Sequence, residues 1–133
     1  MTHRTAIRVR FSELDPYRHV NHAVYLQYLE VGRVEALEAV DASIEFMTSI
    51  GFHVVVSEIS AKYHVPAVAG DDLVVETEII EQGRASGRWS QRIMRGDELV
   101  LSATVRVATT NLEGRLRRCP PEIIERLRPL LVD

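Results

Sequence analysis

Between Asn21 and Val40 the chain carries more apolar side chains than one face of a helix can hold. Tyr25, Leu29, Gly32, Ala36 and Val40 recur at helical intervals and form a single stripe. Val24, Leu26, Tyr28, Val31, Val34 and Leu37 widen that stripe, leaving Glu30, Arg33, Glu35 and Glu38 to occupy the rest. A helix of this character needs protein around most of its circumference. Gly32 and Ala36 are small, so another element is expected to approach the helix closely there. Asn21 is the expected N-cap.

The rest of the chain supplies strands to do the wrapping. Residues 5–12 alternate, with Ile7, Val9 and Phe11 on one face and Arg8, Arg10 and Ser12 on the other. Asp15-Pro16 then marks a loop over 13–21, because a residue before proline avoids the helical region. After Gly51, residues 52–65 read as a long strand. Its alternation is clean at Ile59, Ala61, Tyr63 and Val65, and blurred at Val54-Val55-Val56, which predicts a bulge or two-sided burial. Gly70-Asp71-Asp72, Gln82-Gly83-Arg84 and Gly96-Asp97 are turns that set off strands at 73–80, 85–95 and from Leu99 to Val107. Asn111 to Gly114 is a further turn. Pro120-Pro121 opens a short helix with Ile124, Leu127 and Leu131 on one side. One dominant apolar helix among antiparallel strands is an α+β pattern, with the sheet curling around the helix.

The chain has 133 residues, read as one domain over 1–133 and long enough to bury a core without staples. A net charge of −3 supplies no basic field for nucleic acid. Cys119 is the only cysteine, so no internal disulfide forms. The N-terminus MTHRTAIRVR lacks an apolar signal core, and no run approaches the roughly 20 apolar residues of a membrane span. The expected location is cytoplasmic, with no membrane partner.

Chemistry concentrates in FSELDPYRHVNHAVYLQYLE, residues 11–30, where strand gives way to helix. Asp15 has two readings: a turn residue favoured near a helix N-terminus, or a general base or nucleophile. The first helical amides, at His22, Ala23 and Val24, lack intrahelical acceptors and can hold a developing oxyanion. His22 is either a capping or core histidine, or a group that orients substrate or bonds to Asp15. Tyr25 is either core or a hydroxyl that reaches a carbonyl. His19 lies three residues before His22, the spacing that raises a metal site, but no second ligand cluster accompanies it and no metal or cofactor is expected. Cys119 belongs to no nucleophile pattern. Lys62, Arg88, Arg92 and the Arg115, Arg117, Arg118 cluster are either solvated sheet edges or salt partners for phosphates of an anionic carrier.

The run D-P-Y-R-H-V-N-H-A-V-Y-L-Q-Y-L-E-x-x-R-x-E, residues 15–35, resembles the hotdog-fold acyl-CoA thioesterases of the 4-hydroxybenzoyl-CoA thioesterase type. The later Y-H-V-P-A, 63–67, and G-D-D-L-V-V-E-T, 70–77, resemble a strand corner of that family. The resemblance implies a five-stranded antiparallel sheet wrapped around one long helix. It also implies a homodimer joined edge to edge, paired again in some members, with the active site at the dimer interface. The substrate is then an acyl-CoA or acyl-carrier-protein thioester. Asp15 becomes the catalytic carboxylate, His22 and Tyr25 orient substrate or base, and the His22–Val24 amides polarise the carbonyl. His19 and Asn21 fall beside them as substrate-binding positions. Glu58, on the second strand, is a candidate interface group, and Lys62 and Arg88 are candidate substrate contacts. Two positions depart from the family pattern: Leu14 stands where Thr or Met is frequent, and Arg18 where Gly is frequent. A hotdog protein that binds acyl thioesters without cleaving them is the competing reading.

Overall fold

A computed structural model describes residues 1–132. Its elements are β1 (His3–Arg8), α1 (His22–Ala39), α2 (Ile44–Ser49), β2 (His53–Tyr63), β3 (Asp72–Gln82), β4 (Ser86–Arg95), β5 (Glu98–Thr110) and α3 (Pro121–Leu127). The strands form one antiparallel sheet in the order β1-β3-β4-β5-β2. The β3-β4-β5 meander follows from the turns between them; Gly96, at φ +59, takes the left-handed conformation that the β4–β5 hairpin requires. The bulge expected in the valine run is present, as a register shift between Val56 and Glu58 against β5.

The alternation along β4 and β5 divides the sheet into two faces. Trp89, Gln91 and Ile93 of β4 and Leu101, Ala103, Val105 and Val107 of β5 are buried on one side. On the other, Arg88 bonds Glu81 and Arg92 bonds Glu76. Helix α1 lies on the buried face. Its stripe is buried at Tyr25, Leu29, Gly32 and Ala36, as the spacing predicts. A Cβ on Gly32 would come within 2.6 Å of Val75 Cγ1, so the close approach expected at this glycine is real. The wrapping is incomplete in the single chain: Val31 is exposed, and Val24, Leu26 and Val34 are half-buried.

The core has two parts. One gathers Tyr25, Tyr28 and Leu29 with Val9, Val20, Ala67, Leu73, Ile93 and Leu101 beneath the first half of α1. The other gathers Ala36 and Leu37 with Met47, Phe52, Ile79, Trp89, Val105 and Ile123 beneath the second half. Between them is a polar seam. Gln91 Nε2 donates to the Leu29 carbonyl at 2.9 Å and to Thr77 Oγ1 at 3.0 Å, while its Oε1 accepts from Arg33 at 2.9 Å. All functional groups of this buried amide are satisfied, so it pins α1 in register over the sheet.

Three expectations change. The first strand ends at Arg8, and Phe11–Glu13 form a 3₁₀ turn that leaves Phe11 84% exposed instead of inward. The cause is Glu13: its carboxylate accepts from Arg10 N at 2.8 Å and from the Tyr28 hydroxyl at 2.8 Å, which folds the chain back before residue 11 can pair. Burial would raise the Glu13 pKa, but these bonds and the Arg10 guanidinium together hold it below the ordinary carboxylate value. The short helix α2, capped by Ser43 Oγ accepting from Phe46 N at 3.1 Å, has no counterpart in the sequence reading. In the C-terminal segment the buried face is Ile123, Leu127 and Leu130 instead of the expected Ile124, Leu127 and Leu131; Ile124 and Leu131 are half-buried, and the 3₁₀ turn at Arg128–Leu130 brings Leu130, three residues after Leu127, inward.

Candidate active site

The segment between β1 and α1 is a small hairpin with Asp15 in it. Leu14 pairs with Val20, and inside that pair Asp15 N donates to His19 O at 2.7 Å. Arg18 N donates to Asp15 O at 3.0 Å, closing a β-turn over Asp15-Pro16-Tyr17-Arg18. Asp and Pro are the favoured residues at the first two positions of a type I turn. Arg18 follows in the left-handed region at φ +65, the conformation of a bulge residue after such a turn. The hairpin is tied to its surroundings by Val20 N donating to Ala67 O and Asn21 N to Glu13 O, each at 2.9 Å.

This hairpin orients the Asp15 carboxylate. Its Oδ1 accepts from Tyr17 N at 2.8 Å and from His19 N at 3.2 Å. Its Oδ2 makes no hydrogen bond among the described residues, so one oxygen is fixed and the other is free to act on a ligand. Asp15 is half-buried and lines a cleft of about 390 Å³ with His19, Val20, His22, Tyr25, Tyr63, His64, Val65 and Pro66. A hollow of about 500 Å³ lies at the other end of α1, near Ala39–Asp41 and the N-terminus, but its Arg126 is already bonded to Glu122 and the Asp41 carbonyl.

The start of α1 contributes fewer free amides than its sequence suggests. Asn21 caps the helix by accepting from Ala23 N at 2.9 Å through Oδ1, and its carbonyl takes Val24 N at 2.9 Å. Asn21, Ala23 and Val24 are therefore engaged with one another. His22 N remains without an acceptor among the described residues. Tyr25, buried in the wall, accepts from Ala67 N at 3.0 Å, which leaves its own proton for donation. Burial raises the Tyr25 pKa above the ordinary phenol value, with the Ala67 amide opposing and the Tyr63 and Asp15 charges adding to the rise.

Other predicted positions lie elsewhere. Lys62 and Glu58 are exposed on β2 and do not line the cleft. Arg88 is on the sheet's far face, bonded to Glu81 at 3.4 Å. Cys119 is buried, and burial pushes its thiol up to about 11. No group of three or more His, Cys, Asp and Glu among the described residues is placed to hold a metal ion. No helix among the described residues is long and apolar enough to cross a membrane.

Comparison with known proteins sharpens the assignment. The family model of the thioesterase superfamily matches residues 17–102. The chain is 36% identical over 124 residues to the long-chain acyl-CoA thioesterase FadM of Escherichia coli, covering 86% of this chain and 93% of that one. The chain belongs to the thioesterase superfamily. It is also 33% identical over 114 residues to the acyl-CoA thioesterase YbgC of Haemophilus influenzae, covering 84% and 82% of the two chains. A thioesterase of Thermus thermophilus, solved in complex with coenzyme A and zinc, superposes with a TM-score of 0.81 at 31% identity, covering 96% of this chain and 92% of that one. Hotdog thioesterases share this α+β arrangement of five antiparallel strands with helices.

Within this superfamily member the sequence reading passed over one wall of the cleft. Tyr63, at the end of β2, donates its hydroxyl to the His22 carbonyl at 2.8 Å and meets the Tyr25 ring edge-on at 5.4 Å. His64, Val65 and Pro66 continue that wall, and His64 Nε2 lies 2.9 Å from Ser102 Oγ. The signal available in sequence was the Y-H-V-P-A corner itself, which places these residues together without saying what they face.

Proposed function

We propose that this protein hydrolyses acyl-CoA or acyl-carrier-protein thioesters to the free acid and thiol, with Asp15 as base or nucleophile. The observation that carries the reading is the asymmetric bonding of the Asp15 carboxylate, one oxygen held by two backbone amides and the other without a hydrogen bond among the described residues, on a residue that lines the cleft. Acting as base, the free oxygen takes a proton from water as the water oxygen attacks the carbonyl carbon; collapse of the adduct breaks the C–S bond, and the thiolate leaves and is protonated. Acting as nucleophile, it attacks the same carbon, the adduct expels the thiolate, which is protonated, and water cleaves the resulting anhydride to the free acid and the regenerated carboxylate. Either route places negative charge on the carbonyl oxygen. The His22 amide at the positive end of α1 is the protein donor suited to that charge, and a single donor of this kind is worth about 3–4 kcal/mol in a transition state. Tyr25 can donate to the same carbonyl or orient it. The substrate class is supported by the printed activities of the FadM and YbgC relatives.

The assembly that fits this site is a homodimer. β2 is an 11-residue edge strand, with Val55 42% and Val56 45% exposed. An open edge of that length, apolar at Val55 and Val56, is a template for pairing. A second copy, adding its own β2 antiparallel, continues the sheet and closes the open side of the cleft near Tyr63 and His22.

The test is thiol release from short, medium, long and aryl acyl-CoAs by wild type and by Asp15→Asn. Asparagine keeps the acceptor for Tyr17 N and His19 N, so the hairpin survives while the charge is lost. Turnover is expected to fall at least ~10²-fold, about 2.7 kcal/mol of barrier. Full activity in the variant removes Asp15 from the chemistry. Tight binding of acyl-CoA by a wild type that releases no thiol identifies a binding protein instead.

A further inference from the structure

We infer that Arg18 is a specificity-determining residue that reads the phosphate of the thiol carrier; the inference rests on the thioesterase reading and extends it. Arg18 occupies the bulge position of the Asp15 hairpin at φ +65. Glycine takes this conformation without strain, whereas a side chain with a Cβ takes it at a cost. The hairpin closes with the same bonds a glycine would permit: Arg18 N to Asp15 O, and Asp15 N to His19 O. Nothing in the fold of the loop therefore calls for arginine. Its side chain makes no hydrogen bond and no ion pair among the described residues. Arg10, Arg88, Arg92 and Arg95 are each within 4 Å of a carboxylate, and Arg8, Arg84, Arg106, Arg115 and Arg118, like Arg18 without such a partner among the described residues, lie outside the Asp15 hairpin.

The placement suits a ligand whose charge is remote from its reactive bond. Asp15 and His19, the two arms of the hairpin, line the cleft, and Arg18 stands exposed at its tip, outside that lining. In a pantetheine thioester the phosphate is separated from the thioester carbonyl by the whole pantetheine arm. A cation that meets the phosphate while Asp15 meets the carbonyl belongs at the rim and not in the cleft. The guanidinium fork matches phosphate geometry, and on a chain of net charge −3 a local cation is what an anionic carrier needs. The phosphate has two sources: the nucleotide of coenzyme A, or the 4′-phosphate that coenzyme A shares with carrier proteins.

The experiment uses wild type, Arg18→Gly and Arg18→Lys against three carriers of one acyl group: coenzyme A, 4′-phosphopantetheine and pantetheine. Binding of the three free thiols is measured by calorimetry, alongside KM and kcat for their thioesters. Arg18→Gly is expected to weaken binding and raise KM about 3- to 10-fold for phosphate-bearing carriers at low salt, the range of an exposed to partly shielded charge-assisted contact. kcat and all pantetheine values stay unchanged, the effect shrinks at high salt, and Arg18→Lys falls between. A loss confined to coenzyme A assigns the nucleotide phosphates; a loss on both assigns the 4′-phosphate. The thermal midpoint of Arg18→Gly is expected to equal or exceed that of wild type. Equal losses on all three carriers, no loss on any, or a lowered midpoint with a general fall in activity would overturn the inference. Phosphate-dependent binding without thiol release from any carrier would leave Arg18 assigned and refute the hydrolase reading.

Discussion

Gly32→Ala tests the register of α1 on the sheet. In an exposed helix this change gains about 1 kcal/mol of propensity. Here the added methyl would meet Val75 Cγ1 at 2.6 Å, Thr77 Oγ1 at 3.0 Å and Gln91 Nε2 at 3.2 Å. Val75 is paired on both sides, with Thr5 of β1 and Ile93 of β4, so its Cγ1 cannot retreat with the backbone. Overpacking of this kind costs about 1–3 kcal/mol. Displacing Gln91 also strains its bonds to Leu29 O and Thr77 Oγ1, worth about 1 kcal/mol more. Less the propensity gain, the net destabilisation is about 1–3 kcal/mol. The assay is urea unfolding followed by circular dichroism. With a slope of about 2 kcal/mol/M, the midpoint should fall by about 0.5–1.5 M with the slope unchanged. In a Val75→Ala background the same substitution should be nearly neutral, because the clashing atom is gone. A Gly32→Ala protein as stable as wild type would refute the close-packed seam and the reason given for the glycine.

Two further outcomes follow from the bonding around the site. Glu13 is held below the ordinary carboxylate pKa, so its contribution to stability is present above the unfolded value and is lost as pH falls through the folded one. Wild type should lose urea resistance between about pH 5 and pH 3, and Glu13→Gln should show a shallower loss over that window, Asp71 supplying part of what remains because Arg95 and the Val68 amide hold it low against its burial; identical acid profiles would contradict the Glu13 assignment. Val56→Asp places a charge on the open edge of β2 and should convert the proposed dimer to monomer by light scattering at micromolar concentration, whereas a dimer unchanged from wild type would move the interface off β2, and a monomeric wild type would refute the dimer.

The parts of this protein legible in its sequence are those whose cause is local. Helix α1 could be placed because its apolar stripe and its Asn21 cap act within a few residues of each other. The meander β3-β4-β5 could be placed because its turns and alternation are local too. Asp15, His22 and Tyr25 could be singled out because they stand within 11 consecutive positions where a strand yields to a helix. Tertiary structure decided what depends on groups distant in the chain. Phe11 turned outward because Tyr28, 15 residues ahead of Glu13, captures the carboxylate that folds the turn. Tyr63 became part of the cleft because it bonds the His22 carbonyl across 41 residues. The choice among the three helix amides is local instead: Asn21 takes Ala23 N with its side chain and Val24 N with its carbonyl, and among the described residues only His22 N is left open. Periodicity records which side of an element is apolar. It carries no term for a hydrogen bond between distant residues, and in this protein such a bond, from Tyr63 to the His22 carbonyl, determines which wall the cleft presents, whereas bonds within a few residues select the Asp15 oxygen and the His22 amide.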